Sequence, residues 1–343
     1  MEALAVSQVL LWIVVVALGL IVLGLLWELW LALGTVLGIA SGMTSLVLAT
    51  TIATRWFVAR RGLVLGILSA ATATGQLVFL PMAAWLTEHY GWRAALLPSI
   101  GTIGLLVLAF VLLACDRPAD VGLTPLGGEA TPSAPAAQTG NAFAMSVAAL
   151  ADAARSRVFW VLAFTFFVCG VSSFGLTPHF VTLCGDFGIT PLTSTGLLAL
   201  IGVCDLIGTI GSGWLSDRYN NRWLLFWYYG LRGLSLVFLP FTDFTFFGLS
   251  IFAVFYGLDW IATVPPTVKL TASTFGTERA NLVFGWIFAG HQMGAAIAAF
   301  AAGFSRTMLA TYLPAFFVAG ALCIVAAIVV LTIQERKPTP APS

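Results

Sequence analysis

Residues 211–223 read GSGWLSDRYNNRW, an Asp and two Arg set between two long apolar runs. Only 8% of the 343 residues are charged while 60% are hydrophobic, so a charged cluster of this kind is rare in the chain. Soluble domains are closer to half apolar and a quarter charged, and 14 acidic with 15 basic residues cannot clothe a water-soluble surface of this size. Mean hydropathy is +1.01. The composition therefore predicts an integral membrane protein in which residues 211–223 form a short loop between spanning helices.

Working outward from that loop, ten segments are apolar for the roughly 20 residues a spanning helix needs: 7–27, 29–54, 62–86, 94–114, 158–180, 193–215, 223–242, 246–267, 281–304 and 312–333. Residues 7–54 cannot be one helix. At 1.5 Å per residue it would be about 70 Å long, over twice the hydrocarbon thickness, so the chain turns back near Glu28. The N-terminal MEALAVSQ has no basic start and no small-residue cleavage site, which excludes a signal peptide and leaves 7–27 as a span.

Basic residues set the orientation, because Lys and Arg favour the cytoplasmic side. Loops after even-numbered spans, with the C-terminal tail, carry eleven of them, including Arg55, Arg60, Arg61, Arg117, Arg218, Arg222 and Arg279. The opposite loops carry Arg93 and Arg306. Both termini and the 211–223 loop are thus expected in the cytoplasm. Short loops and the absence of an N-x-S/T site point to a bacterial plasma membrane, with the lipid bilayer as surroundings.

Residues 116–156 include GLTPLGGEATPSAPAAQTG, rich in Pro, Ala, Gly and Thr and poor in core-forming residues. They divide the chain into a half-bundle at 1–115, a cytoplasmic linker at 116–156, a six-helix half at 157–337 and a disordered tail at 338–343. The two halves share a pattern. RRGLVLGILSAATATGQ from residue 60 is similar to ERANLVFGWIFAGHQMG from 278, and Gly66 and Gly75 find counterparts 219 residues on, in Gly285 and Gly294. The same offset carries Gly213 and Asp217 to positions before Met1, so the expectation is a six-plus-six arrangement lacking its first two helices.

Gly213-Trp-Leu-Ser-Asp217-Arg218, with Arg222 after it, resembles the loop signature of the major facilitator superfamily. RWFVARRGLVLGI at 55–67, YGWR at 90–93 and the long linker resemble its monocarboxylate-transporter and oxalate/formate-antiporter branch. The resemblance covers essentially the whole chain, as the third to twelfth helices of that all-α polytopic fold. It implies secondary transport of a small organic anion by alternating access, driven by an ion gradient such as that of protons or by simple exchange. Two departures are visible: Tyr219, Asn220 and Asn221 stand where further Gly and basic residues are usual, and Thr209 stands where the branch carries an Arg four residues after an Asp, here Asp205.

The charged residues suggest how such a protein would work. Gly211 and Gly213 permit close helix approach. Asp217 could accept from backbone N–H groups of a neighbouring helix or from Arg218, forming with Arg222 a latch that breaks when the halves rock; Arg60 and Arg61 are candidates for helix packing or gating. A polar hairpin that only stops the helix is the competing reading. Charge at mid-bilayer costs roughly 2.5–3.5 kcal/mol on insertion scales, so it survives when paired or facing a cavity. Arg232, Asp205, Asp259 and His291 sit inside spans. Arg232 could grip a carboxylate in bidentate fashion, and Asp205 or Asp259 could carry a proton as buried carboxyl groups do. A purely structural Arg232–Asp205 pair, and a packing role for His291, are equally open. Pro265 and Pro266 remove two helix donors and free carbonyls, marking a kink or a moving segment. Lys269 is expected to snorkel to the cytoplasmic surface.

No HExxH, GxSxG, P-loop or ligand cluster is present, so neither enzymatic chemistry nor a cofactor or metal is expected. The five cysteines lack metal-ligand spacing and read as free packing thiols. A net charge of +1 gives nucleic acid no footing. Efflux of an amphipathic or cationic compound anchored on Asp205 and Asp259, or a truncated form that does not transport, are the rival readings. Oligomeric state is not legible.

Overall fold

The computed structural model describes residues 27–28, 31–43, 46–115, 117–127 and 142–333. Among them the regular structure is helical, apart from an isolated bridge between Phe57 and Leu126. Residues 1–48 and 49–343 form two compact units. In the first, a π-helical turn, Leu31–Val36, runs into α1, Leu37–Met43.

The second unit is built from α2 (Leu46–Trp56, which begins at its border), α3 (Arg61–Thr74), α4 (Leu80–Tyr90), α5 (Trp92–Leu113), α6 (Ala142–Ala153), α7 (Arg157–Ser172) and α8 (Thr177–Asp186). It continues with α9 (Pro191–Ser216), α10 (Asn221–Phe238), α11 (Phe246–Asp259), α12 (Val264–Phe275), α13 (Thr277–Leu309) and α14 (Leu313–Val330). Helix starts follow the side chains that can satisfy unpaired first-turn N–H groups. Thr190 caps α9 ahead of Pro191 by accepting from Thr193 N, and Asn220 caps α10 by accepting from Arg222 N and Trp223 N.

Eight helices among the described residues are long and apolar enough to cross a membrane: Gly34–Trp56, Trp92–Leu113, Arg157–Asp186, Pro191–Ser216, Asn221–Phe241, Phe246–Phe275, Arg279–Leu309 and Leu313–Val330. The sequence reading gives ten. Its first segment, 7–27, lies outside the described residues except for Trp27. Its third, 62–86, is not one continuous α-helix, because a π-helical turn at Gly75–Phe79 separates α3 from α4. Pro81 is the physical reason: it cannot donate to the carbonyl one turn back, and a π turn immediately upstream absorbs the mismatch. The expected linker 116–156 is described only in part and contains α6, and the expected tail 338–343 lies outside the described residues.

Packing in the second unit pairs α3 with α9, α7 with α13, α9 with α11, and α10 with α14. Leucines and valines along α5 are exposed all round, as on a helix immersed in lipid. Close approaches rest on small residues. A methyl group added at Gly294 of α13 would collide with the Phe167 carbonyl of α7 and lie 3.2 Å from Val171 N, and one at Gly170 would collide with the His291 carbonyl. Gly285 and Gly75 face no atom within 4 Å, so only one glycine of each repeated pair, Gly66 and Gly294, is a contact. Gly294→Leu should therefore lower stability by about 1–3 kcal/mol through overpacking. Gly285→Ala should leave it unchanged or raise it by up to about 1 kcal/mol through helix propensity. Thermal unfolding of the two variants in detergent checks both.

Candidate functional site

The centre of the second unit holds two interrupted spans. Residues 246–275 break after Asp259, and a turn at 260–263 precedes α12, with Pro265 and Pro266 in its first turn, where missing donors are tolerated. Residues 157–186 break at 173–176, and α8 restarts with Pro178 in its first turn. Each interruption releases backbone groups that must be satisfied inside an apolar bundle.

Buried ionisable residues from two other helices bond backbone groups at the first break and side chains at the second. Arg232 of α10 is fully buried and reaches both breaks. Its Nη2 donates to the carbonyls of Asp259 and of Trp260, the latter at 2.8 Å. Its Nη1 faces Cys169 Sγ at 3.2 Å, Ser173 Oγ at 3.3 Å and Ser172 Oγ at 3.4 Å on the other span. Asp205 of α9, also fully buried, accepts at Oδ1 from Ile261 N (2.9 Å) and from Thr209 Oγ1 (2.7 Å). Thr209, standing where the resembled branch has an arginine, thus anchors the aspartate. Ser212 of the same helix donates to the Ala262 carbonyl, which the ring of Pro266 leaves without its helical donor. α9 comes this near because Gly208 lies against the Leu258 carbonyl and Gly257 against Ile201, positions where any side chain would collide.

The breaks also touch each other. Phe174 stacks on Trp260 with centroids 5.5 Å apart, Cys169 Sγ lies 3.3 Å from Thr263 Oγ1, and Tyr256 donates to the Ser172 carbonyl. His291 is buried among Phe166, Phe174 and Phe288, with Nδ1 3.0 Å from Gln292 Oε1. Asp259 is buried as well, but its carbonyl, not its carboxylate, meets Arg232.

Arg232 and Asp205 are not paired with each other. Among the described residues the guanidinium has no ion-pair partner, and its Nε, together with Asp205 Oδ2, has no hydrogen-bond partner. The arrangement is a permanent cation that clamps two helix breaks, beside a carboxyl group with one oxygen left without a hydrogen-bond partner.

A second polar site lies where α9 ends. Asp217 accepts from Gly62 N and Leu63 N, each at 3.1 Å, and so caps the N-terminus of α3 from another helix. Lys269, partly exposed, pairs with Asp217 Oδ1 at 2.8 Å and donates to the Ser216 carbonyl at 2.8 Å. Arg218 lies 3.9 Å over the Trp214 ring instead of on Asp217, and Arg222 donates to the Ile333 carbonyl at 2.9 Å. Arg61 is anchored on the Phe57 carbonyl at 3.0 Å, while Arg60 occupies the left-handed region at φ 55°. Below the cap, Gly62 and Gly66 of α3 meet Gly213 of α9 nearly backbone to backbone: a methyl at Gly66 would lie 2.8 Å from the Thr209 carbonyl. Gly211 takes no part, facing no atom within 4 Å.

Sequence reasoning missed Cys169, Ser172 and Ser173 as partners of Arg232, and the break they border. The run GVSSFGLTP at 170–178, with two Gly, paired Ser and a Pro, was the available signal.

Comparison with known proteins completes the description. The profile described as Major Facilitator Superfamily matches residues 5–299 and, again, 185–343. Bovine (Bos taurus) monocarboxylate transporter 13 is 27% identical over 287 residues, covering 82% of this chain and 62% of that protein. The uncharacterized MFS-type transporter YcxA of Bacillus subtilis (strain 168) is 27% identical over 266 residues, covering 75% and 60%. The chain thus spans about three fifths of the length of these relatives. A crystal structure of the E. coli fucose:proton symporter FucP superposes with a TM-score of 0.60 at 16% identity, covering 84% of this chain and 73% of that one, which shows a shared fold.

Proposed function

Because the chain belongs to the major facilitator superfamily, we propose that it works as a secondary transporter, moving a small monocarboxylate-like organic anion by alternating access with a proton as coupling ion. The observation that carries this reading is Arg232: a buried guanidinium with no ion-pair partner among the described residues, bonded to both interrupted spans. A cation so placed attracts an anion, and its fork geometry suits a carboxylate. The names of the relatives, monocarboxylate transporters among them, support the same substrate class.

In the proposed cycle, the state with α3 against α9 is closed at the Asp217 end, which the distribution of basic residues puts in the cytoplasm of a plasma-membrane protein. Rocking breaks the Asp217 cap and shifts the interrupted segments. Arg232 then leaves the Asp259 and Trp260 carbonyls and takes the substrate carboxylate. Asp205 carries the proton at Oδ2, so anion and proton move together without net charge.

The test is uptake of radiolabelled monocarboxylates into proteoliposomes under an imposed pH gradient. Asp205→Asn keeps an acceptor for Ile261 N and Thr209 but cannot cycle a proton. It is expected to lose the acceleration by an inward proton gradient while retaining anion exchange. Acceleration undiminished in this variant would remove the proton from Asp205.

A further inference from the structure

Two cavities open side by side along the α3–α9 seam. One, about 680 Å³, is lined by Arg60, Leu63, Trp214, Asp217 and Arg218. The other, about 600 Å³, has entirely apolar walls and is lined by Leu63, Leu206, Ile207, Ile210, Gly211 and Trp214. Leu63 and Trp214 line both, so a charged head joins an apolar trough.

The head is electrostatically one-sided. Both carboxylate oxygens of Asp217 are taken by Gly62 N, Leu63 N and Lys269. Arg60 is exposed and makes no side-chain hydrogen bond among the described residues, and Arg218 lies 3.9 Å over the Trp214 ring with a single long bond, 3.5 Å, to the Trp214 carbonyl. Two guanidinium groups therefore face the cavity with donors to spare. The trough has its own signature in Gly211. Helix packing explains Gly213 two residues on but not Gly211, which meets nothing within 4 Å and deepens the groove instead. From Arg218 back to Leu206 is twelve residues, about 18 Å along a helix, against roughly 15 Å for one leaflet of hydrocarbon.

We propose that this seam binds an acidic membrane phospholipid. Its phosphate sits between Arg60 and Arg218, where arginine forks match phosphate oxygens, and Trp214 marks the headgroup level. One acyl chain lies along Leu206, Ile207, Ile210 and Gly211. A soluble phosphate would use only the head, and a neutral lipid only the trough; the two cavities together select a lipid with an anionic head. Because Arg60 and Leu63 belong to the α3 side and Arg218 and Trp214 to the α9 side, the bound lipid bridges the same two helices that Asp217 ties and favours their closed arrangement. This inference is independent of the transported substrate.

The test is native mass spectrometry of the full chain released from nanodiscs of equimolar phosphatidylglycerol and phosphatidylcholine. The parent protein is expected to retain phosphatidylglycerol over phosphatidylcholine by about thirtyfold, as two surface cations would give. R60Q/R218Q should bring the ratio close to one, and Gly211→Leu, which fills the trough, should reduce retention of both lipids. Glycerol phosphate at millimolar concentration should displace neither. The proposal is overturned if the parent shows no preference, if R60Q/R218Q keeps it, if Gly211→Leu retains lipid undiminished, or if glycerol phosphate competes as well as phosphatidylglycerol. Should a variant fail to fold, the parent's lipid ratio and the glycerol phosphate competition decide alone.

Discussion

Arg232→Gln is expected to cut monocarboxylate uptake by about 100-fold or more, from the loss of two functions held in one side chain. The first is charge: truncating one member of a buried, hydrogen-bonded charged contact costs about 2–5 kcal/mol, and about 1.4 kcal/mol is tenfold. The second is the clamp. Gln is shorter and has one amide group, so it cannot serve the Asp259 and Trp260 carbonyls together with Ser172, Ser173 and Cys169. Each buried group left unpaired costs about 1–3 kcal/mol. Arg232→Lys separates the two functions, since it keeps the charge but has no fork to span both breaks. If the guanidinium grips the substrate, KM for the carboxylate rises in the Lys variant. If it only fastens the breaks, Vmax falls and KM holds. Export of a cationic compound that survives Arg232→Gln while carboxylate uptake disappears would confirm the anion site specifically. Carboxylate uptake above a tenth of the parent level in that variant would end both roles.

How far this site could be read without coordinates depends on which physical signal each part leaves. Apolar runs report membrane spans, and Pro265 with Pro266 reports an interruption, because a missing N–H is a property of the residue itself. Arg232, Asp205, Asp259 and His291 stand out because charge in an apolar run is costly wherever it points. Their partners leave no such trace. Whether Arg232 meets Asp205 or the backbone of 259–260 depends on the rotation of α10 against α7 and α11, which is fixed by packing over the whole interface. The carbonyls it serves are exposed by a break at the end of the next helix, α11. Cys169 reads as a packing thiol until the guanidinium is placed 3.2 Å from it. The landing of Asp217 on backbone N–H groups was legible as a type of contact, since a carboxylate at a helix end seeks donors. That Lys269 joins it, and that Arg218 lies over Trp214, depended on where α12 and the Trp214 ring fall.

The seam that Asp217 closes supplies the other large effect. Gly213→Leu places side-chain atoms against the Gly62 carbonyl and within 3.1 Å of Gly66 Cα. Both obstacles are backbone, so no rotamer change relieves the clash and the helices must move apart. Separation also breaks the cap, because Asp217 reaches Gly62 N and Leu63 N at 3.1 Å only while α3 and α9 touch. A lost helix cap costs about 0.5–2 kcal/mol, and the overpacking adds about 1–3 kcal/mol. Together these suffice to turn a closed state into a minor one, since about 3 kcal/mol is roughly a hundredfold in population. Ser69 reports the change: it lies on the face of α3 that carries Gly62 and Gly66, and it is fully buried. With exposed Cys115 replaced by Ser, a Ser69→Cys thiol should resist a water-soluble maleimide in the parent and react once Gly213→Leu is added, while uptake falls by about tenfold or more. Asp217→Asn leaves the glycine contact intact while removing the charge that binds Lys269 and one of the two oxygens that accept from Gly62 N and Leu63 N, so its effect should be a few-fold and its Ser69→Cys thiol should stay largely shielded. Gly303→Ala, at a site with no atom within 4 Å, controls for the loss of a glycine. If Gly213→Leu leaves the thiol shielded and uptake at the parent level, the α3–α9 seam cannot be a gate, because the one substitution that must part those helices would have parted nothing.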